Sequence, residues 1–283
     1  MKAQDLFKVE GQVVAITGAA SGIGLAYARV MAANGAIVTL MDLNPQTLEA
    51  ACAQLSATGA QVHGVVADVT DPDSIKAAVD SVVARHGRLD VLFANAGISG
   101  GPGFLDGQGQ RNPAGAVENL SLQTWDRVMA TNVRSVLLTL QAAVPAMKQQ
   151  GGGRIIVTSS ISASKTETLV SSIYTTSKAA VGYLVRQMAH ELARFNIRVN
   201  AISPGPVVTN IGGGRLQQAE ARAPFERAAP LGRIGTPADL QGAALFLASS
   251  ASSWMTGAEI IIDGGTTLGP ADPALPASSA SVP

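Results

Sequence analysis

Tyr174 and Lys178 lie four residues apart at the start of a predicted helix. This spacing is about one helical turn, so both side chains share one face and can reach each other or a common ligand. A free tyrosine titrates near pH ~10, and a neighbouring ammonium favours the phenolate and lowers that pKa. The pair could therefore act as an acid/base, although such a pair more often forms a solvated helix face.

A glycine-rich turn could bind an anion. Residues 17–24, Thr-Gly-Ala-Ala-Ser-Gly-Ile-Gly, join an apolar run at 13–17 to a helical stretch that begins at Gly22. A helix N-terminus offers unpaired N–H groups and a positive dipole end, and glycines allow close approach of the backbone to the ligand. A pyrophosphate is the expected ligand, although the first two glycines are further apart than in the usual Gly-x-Gly-x-x-Gly pattern.

Asp42 ends the second predicted strand, about twenty residues past the glycines, where a carboxylate can accept hydrogen bonds from both adenosine ribose hydroxyls. This placement favours NAD as the cofactor. A 2'-phosphate would meet a like charge, at a cost of about 4 kcal/mol for ~4 Å and an effective dielectric of ~20. No cation stands at 19–20 or 43–44 to compensate. Asp42 could instead be a turn residue, and Asp68 could face the adenine or merely begin its turn.

Apolar strands alternate with helices along most of the chain. The predicted strands are 13–17, 36–41, 61–66, 89–94, 154–158, 198–202 and 259–262, and the predicted helices are 22–33, 45–58, 72–86, 122–150, 174–194, 216–227 and 236–247. This pattern predicts an α/β fold, a doubly wound parallel sheet of about seven strands with helices on both faces. We expect a lead-in at 1–8, one domain at 9–266 and a flexible tail rich in Pro, Ala and Ser at 267–283.

Irregular segments interrupt this alternation. Residues 98–120 contain six glycines and two prolines, which predicts a long surface loop; loops of this kind are usually functional or mobile. A second irregular segment spans 204–235. Within the long helix at 122–150, Pro145 is expected to bend or end the last turns.

Composition favours a small-molecule role. The 283 residues include 20 basic and 20 acidic ones without a basic cluster, which argues against nucleic acid or an anionic membrane surface as a partner. A single cysteine, Cys52, excludes an internal disulfide and a Cys-based metal cluster, and no metal site is predicted. No signal peptide or membrane-spanning run is evident, so we expect a cytoplasmic protein.

Several motifs occur together in one order. They are Thr17 to Gly24, Asn95-Ala96-Gly97, Asn132, Ser160, Tyr174 and Lys178. With them, the sequence resembles the short-chain dehydrogenase/reductase family from about residue 9 to residue 265. The resemblance implies a Rossmann-type fold and hydride transfer between a nicotinamide cofactor and an alcohol or carbonyl.

The resemblance also implies roles for four residues. Tyr174 would be the catalytic acid/base, and Lys178 would lower its pKa and hold the nicotinamide ribose hydroxyls. Ser160 would hydrogen-bond the substrate oxygen as charge develops on it, with Ser159 as a rival for this role. Asn132 would open the helix backbone enough to hold a water that relays protons to Lys178.

Cofactor contacts follow from the same resemblance. The segment 95–97 would pack beside the adenosine and stabilise the sheet, while 204–209 would face the nicotinamide, with Thr209 hydrogen-bonding its carboxamide. The residues expected to contact NAD are Gly18, Ser21, Gly22, Ile23, Gly24, Asp42, Leu43, Asp68, Val69, Asn95, Ala96, Gly97, Tyr174, Lys178, Pro204, Gly205, Val207 and Thr209.

The substrate is less defined by the sequence. Small polar candidates such as Ser162, Ser171 and Ser172, with only 4% aromatic residues, favour a polyol, sugar, hydroxy acid or compact cyclic alcohol over a steroid. The loop at 98–120 is longer than usual for the family and suggests an individually shaped substrate entrance. A tetramer or dimer, built through 122–150 and 174–194, is implied by the resemblance.

Three other functions compete with an alcohol dehydrogenase. A sensor or scaffold protein could bind the dinucleotide without turnover, but it would not need the acid/base pair. A nucleotide-sugar epimerase or dehydratase would need a larger C-terminal substrate domain. An enoyl reductase is disfavoured by the close spacing of Tyr174 and Lys178.

Overall fold

All seven predicted strands are present in the computed structural model, which describes residues 2–269. The strands are β1 (Val13–Thr17), β2 (Ile37–Asp42), β3 (Val62–Val66), β4 (Val91–Ala94), β5 (Gly153–Thr158), β6 (Ile197–Pro204) and β7 (Glu259–Ile262). They form one sheet in the order β3-β2-β1-β4-β5-β6-β7, and every neighbouring pair is parallel. The order reverses between β1 and β4, which creates a crevice for a ligand at their carboxyl ends.

Helices connect the strands and cover both faces of the sheet. They are α1 (Ala3–Leu6), α2 (Gly22–Ala33), α3 (Pro45–Ser56), α4 (Pro72–His86), α5 (Leu122–Met129), α6 (Ser135–Gln149), α7 (Ser172–Leu192), α8 (Ala219–Ala228) and α9 (Gln241–Ala248). Short 3-10 turns occupy Pro113–Gly115, Val117–Asn119, Ile161–Ala163, Ala193–Phe195, Ile211–Gln217, Pro237–Leu240 and Ser250–Ser252.

Alternate side chains of each central strand enter two separate cores. On β1, Val14 and Ile16 pack with α2, α3 and α9, whereas Val13 and Ala15 pack with α4, α6 and α7. Because helices cover both faces, the central strands are apolar at nearly every position instead of alternating with polar residues. The predicted doubly wound α/β fold in a single domain is thereby confirmed.

The long helix predicted at 122–150 is divided into three parts. A π-helical segment, Ala130–Arg134, separates α5 from α6 and contains Asn132. Pro145 was expected to bend or end the last turns, and it does not end them, since α6 continues four residues beyond it, to Gln149. Pro145 and Gln141, the residue whose carbonyl loses its N–H partner, are both exposed, so water can reach this side of the helix.

The helix that carries Tyr174 begins two residues earlier than predicted. Ser171 is its N-cap, and its hydroxyl accepts a hydrogen bond from the N–H of Ile173 at 3.3 Å. A serine at this position satisfies one of the unpaired donors of the first turn. Tyr174 therefore lies within the first turn of α7, with its backbone already fixed.

Most of the tail predicted at 267–283 lies outside the described residues, from 270 onward. At its start, the N–H of Thr267 donates a hydrogen bond to the Asp263 carboxylate at 2.7 Å.

The helices were also compared with the length and hydropathy that a membrane span needs. Among residues 2–269, no helix is both long and apolar enough to span a bilayer.

Candidate active site

The glycine turn lies at the switch point between β1 and β4. Gly18 has a φ of +63°, and a Cβ there would lie 2.9 Å from the Cα of Ala96. A Cβ on Gly24 would lie 2.2 Å from the carbonyl oxygen of Gly18, so the start of α2 requires glycine at this position. The chain is thus held close to the crevice without side chains that would fill it.

The first turn of α2 leaves backbone donors free. Ser21 is its N-cap residue but makes no capping hydrogen bond through its side chain. Across residues 2–269, the N–H groups of Gly22, Ile23 and Gly24 also have no hydrogen-bond partner. Free donors at a helix N-terminus, beside glycines, match what a pyrophosphate requires, so the turn fits the expected dinucleotide.

Asn95 connects the carboxyl ends of three neighbouring strands by hydrogen bonds. Its Nδ2 donates to the carbonyl oxygens of Thr17 and Gly18 at 3.0 and 3.2 Å, and its Oδ1 accepts a hydrogen bond from the Thr158 hydroxyl at 2.9 Å. The Thr17 hydroxyl in turn accepts hydrogen bonds from the N–H groups of Asn95 and Ala96 at 3.0 and 3.2 Å. These bonds fix β1, β4 and β5 relative to one another at the crevice.

Asp42 lies beside the glycine turn, at the end of β2. Its carboxylate accepts hydrogen bonds from the N–H of Ala20 at 3.0 Å and from the N–H of Asn44 at 3.2 Å. The next residue, Leu43, is 65% exposed. The bond to Ala20 joins the Asp42 carboxylate to the glycine turn.

Asp68 is engaged in its own turn. Its carboxylate accepts hydrogen bonds from both the N–H and the hydroxyl of Thr70 at 2.8 and 2.7 Å, while its backbone N–H donates to Ser74 at 3.0 Å. Two roles were considered for Asp68, a contact with the adenine and the start of a turn. The hydrogen bonds to Thr70 directly show the second. Its neighbour Val69 is partly buried and packs against the core on the α4 side of the sheet.

Asn132 joins the start of the long loop to α7. Its Oδ1 accepts a hydrogen bond from the N–H of Ile98 at 2.8 Å, and its Nδ2 donates to the Ile98 carbonyl and to the Ser177 hydroxyl, both at 3.0 Å. A Cβ on Gly97 would lie 3.3 Å from Asn132 Oδ1 and 3.8 Å from Lys178 Nζ. Gly97, Asn132 and Lys178 therefore meet at one point.

Lys178 is buried, with 5% of its surface exposed. Its Nζ donates a hydrogen bond to the Thr158 carbonyl at 2.8 Å and lies 5.7 Å from the centre of the Tyr174 ring. Burial lowers the pKa of Lys178 to about 8. At neutral pH the side chain is still mainly an ammonium, held at the end of β5.

The Tyr174 phenol lies beside the Ser160 side chain. Burial raises the pKa of Tyr174 to about 12, the Ser160 hydroxyl lowers it, and the negative charge of Glu167 raises it further. The expectation that Lys178 lowers this pKa is thus not met in the protein without ligand. Removal of the phenol from water outweighs other effects, and the Lys178 ammonium is directed to the Thr158 carbonyl.

Of the two adjacent serines, Ser160 is the one that faces Tyr174. Ser159 is buried, and its hydroxyl has no hydrogen-bond partner in the described part of the chain. Ser160 Oγ lies 3.2 Å from Ser162 Oγ and also accepts a hydrogen bond from the N–H of Ser162 at 3.2 Å. The structure therefore brings Ser160, Tyr174 and Lys178 together, as the sequence predicted.

The segment after β6 lies beside the glycine turn. A Cβ on Gly205 would lie 2.8 Å from the Cα of Asp263, so the segment from Pro204 packs closely against the chain that follows β7. Val207 is buried and forms a bridge with Gly235. The Thr209 side chain lies 3.5 Å from where a Cβ on Gly22 would be. Thr209 and the start of α2 thus line the same crevice.

Comparisons with known proteins agree with this geometry. A family model described as enoyl-(acyl carrier protein) reductase, one of those for short-chain dehydrogenases, matches residues 18–267. The chain is 37% identical to the D-threitol dehydrogenase of Mycolicibacterium smegmatis over 263 residues, which cover 93% of this chain and 95% of that one. The chain belongs to the short-chain dehydrogenase/reductase family.

Solved structures of the short-chain dehydrogenase/reductase family superpose closely. A member from Mycobacterium marinum has a TM-score of 0.84 and 38% identity over 94% of this chain and 99% of its own. The NADPH-dependent 3-quinuclidinone reductase from Rhodotorula rubra has a TM-score of 0.81 and 35% identity over 94% and 95%. The family binds nicotinamide dinucleotides, and its structural neighbours include an NADPH-dependent enzyme.

The loop at 98–120 of this short-chain dehydrogenase/reductase is packed against the active site. Pro102 bridges to Val170, and the N–H of Leu105 donates to the Thr168 carbonyl at 3.1 Å. A Cβ on Gly103 would lie 2.0 Å from that carbonyl oxygen. The loop therefore supports the segment between Ser160 and Tyr174, a contact that its irregular sequence did not predict.

Sequence reasoning missed Glu167. This half-buried carboxylate accepts a hydrogen bond from Ser162 at 3.2 Å, and its charge acts on Tyr174. It is the only acidic residue between Ser159 and Tyr174. That isolated acid in a segment rich in Ser and Thr was the available signal, but no periodic pattern shows which way its side chain points.

Proposed function

We propose that the protein is an NAD-dependent oxidoreductase that transfers a hydride between a secondary alcohol and the nicotinamide, with Tyr174 as the acid/base. The observation that carries this proposal is the placement of Tyr174 beside Ser160 and one helical turn from Lys178, whose Nζ is held at the Thr158 carbonyl. Together these groups can exchange a proton with a substrate oxygen and stabilise the charge that develops on it. Membership of a family of oxidoreductases that act on CH–OH groups supports the same conclusion.

Each member of this group has a separate part in alcohol oxidation. Tyr174 removes the proton from the substrate hydroxyl, and Ser160 donates a hydrogen bond to that oxygen as it becomes a carbonyl. Oxidised nicotinamide would supply the hydride acceptor and a positive charge when bound. Because burial raises the pKa of Tyr174 to about 12, the phenolate depends on positive charge nearby. The Lys178 ammonium is held at the Thr158 carbonyl, so this charge would come from the bound cofactor.

Lys178 and Asn132 would complete the proton path. Lys178 would hold the nicotinamide ribose hydroxyls, and its Nζ is anchored by the Thr158 carbonyl at 2.8 Å. Asn132 is assigned a water that relays protons to Lys178. Its support is the π-helical segment at Ala130–Arg134, because widened backbone of this kind often occurs at functional sites. The Asn132 and Lys178 side chains also lie next to each other, since a Cβ on Gly97 would lie 3.3 Å from Asn132 Oδ1 and 3.8 Å from Lys178 Nζ.

The preference for NAD rests on Asp42. Its carboxylate is joined to the glycine turn through Ala20, and residues 18–24 and 43–44 contain no cation. A ribose 2'-phosphate at this point would meet an uncompensated negative charge. Because one structural neighbour is an NADPH-dependent reductase, the fold by itself does not determine which dinucleotide is preferred. The preference of this chain therefore has to be measured.

A polyol or another compact secondary alcohol is the proposed substrate. The side chains around Tyr174 are small and polar, with Ser160, Ser162 and Glu167 connected by hydrogen bonds. The relative from Mycolicibacterium smegmatis is named a D-threitol dehydrogenase, which supports a polyhydroxylated substrate. Neither a nucleic acid nor a membrane is proposed as a partner.

We further propose a cytoplasmic homo-oligomer, a tetramer or a dimer. Its support is an open apolar surface between α5, the π-helical segment, α6 and α7, which includes Leu137 and Tyr183 as exposed residues. Exposed apolar surface of this kind often marks contacts between subunits. This surface coincides with the two helices that the family resemblance implies.

Two other functions make different predictions. A sensor or scaffold protein of the same fold would bind the dinucleotide without turnover. Enoyl reduction is suggested by the description of the matching family model, although the close spacing of Tyr174 and Lys178 disfavours it. Both alternatives can be distinguished from alcohol oxidation with a single set of substrates.

The test is a panel of polyols, sugars, hydroxy acids and cyclic alcohols, which are assayed for oxidation. An enoyl thioester is added to test for enoyl reduction. Each is assayed with NAD(H) and NADP(H) by the absorbance of the reduced nicotinamide. We expect at least one secondary alcohol to reduce NAD and Tyr174→Phe to abolish that signal. Turnover of the enoyl thioester alone would assign a different reaction. NADH binding without turnover of any panel member would favour the sensor.

A further inference from the structure

Glu167 is a half-buried carboxylate that the acid/base chemistry does not use. Its Oε1 accepts a hydrogen bond from the Ser162 hydroxyl at 3.2 Å. The Ser162 hydroxyl lies 3.2 Å from that of Ser160, whose side chain lies beside Tyr174. A row of polar groups therefore runs from Tyr174 through Ser160 and Ser162 to Glu167.

This carboxylate has unused capacity to accept hydrogen bonds. In the described part of the chain, the bond from Ser162 is the only one to its side chain, and no ion pair includes it. The nearest cation in sequence, Lys165, donates to the Thr266 carbonyl at 2.5 Å and acts on Glu167 through its charge alone. A carboxylate with two oxygens has about four acceptor positions, so most of them remain for a ligand.

We propose that Glu167 binds a second hydroxyl of the substrate, next to the carbinol held by Ser160 and Tyr174, so that the enzyme selects vicinal diols and polyols. This inference rests on the proposed function, since it requires the carbinol to lie at Tyr174. Neighbouring hydroxyl oxygens of a diol are separated by about one hydrogen-bond length. Ser160 and Glu167 are connected through Ser162 by two steps of 3.2 Å each, a span that a carbinol bound to Ser160 and its neighbouring hydroxyl bound to Glu167 can bridge.

The charge of Glu167 determines which substrates fit. A carboxylate accepts hydrogen bonds but donates none, so it favours a hydroxyl donor in the substrate. It also repels a substrate carboxylate or sulfonate at the same position. Of the compact alcohols considered above, polyols and sugars are therefore favoured, and hydroxy acids are disfavoured.

A matched pair of alcohols isolates this second hydroxyl. Butane-2,3-diol and butan-2-ol differ by one hydroxyl group next to the same carbinol. For the wild-type enzyme with NAD, we expect kcat/KM for the best diol stereoisomer to exceed that for butan-2-ol by about tenfold or more, as expected for a charge-assisted hydrogen bond. Glu167→Gln keeps the shape but not the charge, and it should reduce this ratio by about tenfold.

Two further variants separate charge from structure. Glu167→Asp keeps the charge and should retain more of the diol preference than Glu167→Gln. Glu191→Gln removes the same charge from an exposed position near the end of α7 and should leave the ratio unchanged. In Glu167→Gln, kcat/KM for lactate relative to butan-2-ol should increase, a gain that misfolding cannot produce.

The measurements distinguish a failure of the role proposed for Glu167 from a failure of the proposed function. Oxidation of butan-2-ol without a diol preference, or a preference that Glu167→Gln leaves intact, would overturn the role of Glu167 while the proposed function stands. An equal loss on both alcohols would show that Glu167 only positions Ser160 and Tyr174, which also overturns the proposal. If the wild-type enzyme oxidises no alcohol with either cofactor, the proposed function fails, and this inference fails with it.

Discussion

Lys178 is held by Thr158: its Nζ donates a hydrogen bond to the Thr158 carbonyl at 2.8 Å, at the carboxyl end of β5. The hydroxyl of the same threonine donates to Asn95 at 2.9 Å, and Asn95 is bonded to the glycine turn. One residue thus ties the candidate catalytic lysine to the candidate cofactor site. The sheet edge, and not the helix alone, determines where the ammonium lies.

The buried ammonium predicts a specific dependence of stability on pH. Burial lowers the pKa of Lys178 from 10.5 to about 8, so between these values the unfolded chain binds more protons than the folded one. Stability therefore increases as pH rises through this window. The difference in unfolding free energy between wild type and Lys178→Met should increase by about 2 kcal/mol from pH 8 to pH 10. Urea denaturation of ligand-free protein measures it, and parallel pH profiles would contradict it.

Removal of the Tyr174 hydroxyl should separate binding from chemistry. Tyr174→Phe deletes the hydroxyl beside Ser160 but little volume. We expect kcat for alcohol oxidation to fall by about 10²- to 10⁴-fold and NADH affinity to stay nearly unchanged. Tyr183→Phe, at a position 64% exposed on the same helix, is the control, and its oligomeric state is compared with that of wild type because Tyr183 lies on the proposed subunit contact. Substantial turnover by Tyr174→Phe with a good substrate would refute the assigned role.

Asp42 should determine the choice of dinucleotide. Because its carboxylate lies beside the glycine turn without a compensating cation, NAD should be preferred over NADP by about tenfold or more in kcat/KM. Asp42→Asn should reduce the preference, mainly by improving kcat/KM for NADP. Asp80→Asn removes an equal charge from an exposed position and serves as the control. Equal efficiencies with the two cofactors in the wild-type enzyme would disprove the prediction.

The packing of the long loop on the active site should affect turnover more than cofactor binding. A Cβ on Gly103 would lie 2.0 Å from the Thr168 carbonyl oxygen, so Gly103→Ala must displace the loop or the segment that leads to Tyr174. Because small misplacements of reacting groups are costly, kcat/KM should fall by about tenfold or more. NADH affinity should be unchanged. Gly242→Ala, where a Cβ meets no atom within 4 Å, is the control. Wild-type kinetics in Gly103→Ala would show that the loop plays no part in catalysis.

Local patterns in the chain were sufficient for the architecture and for most of the site. The strands were recognisable because both faces of the sheet are covered, which makes them continuous apolar runs. Tyr174 and Lys178 share a helix, so their relation follows from spacing alone. The glycine turn is likewise contiguous, and its position between β1 and α2 is the basis of the role proposed for it.

Contacts between distant segments were decided only by the tertiary structure. Glu167 faces Ser162, Gly103 packs on Thr168, and Lys178 is anchored by Thr158, although none of these pairs belongs to a periodic pattern. The direction of the pKa shift of Tyr174 also depended on burial, which the spacing of two residues cannot reveal.

The sequence by itself determined a doubly wound α/β chain with a glycine turn and a Tyr–Lys helix, because hydrophobic periodicity, caps and spacing act over short stretches of chain. Only the tertiary structure decided that α6 passes through Pro145 and that Glu167 accepts a hydrogen bond from Ser162, which is itself hydrogen-bonded to Ser160. The physical reason is that these features depend on which surfaces meet when the sheet forms, and irregular loops carry no periodic signal of their side-chain directions.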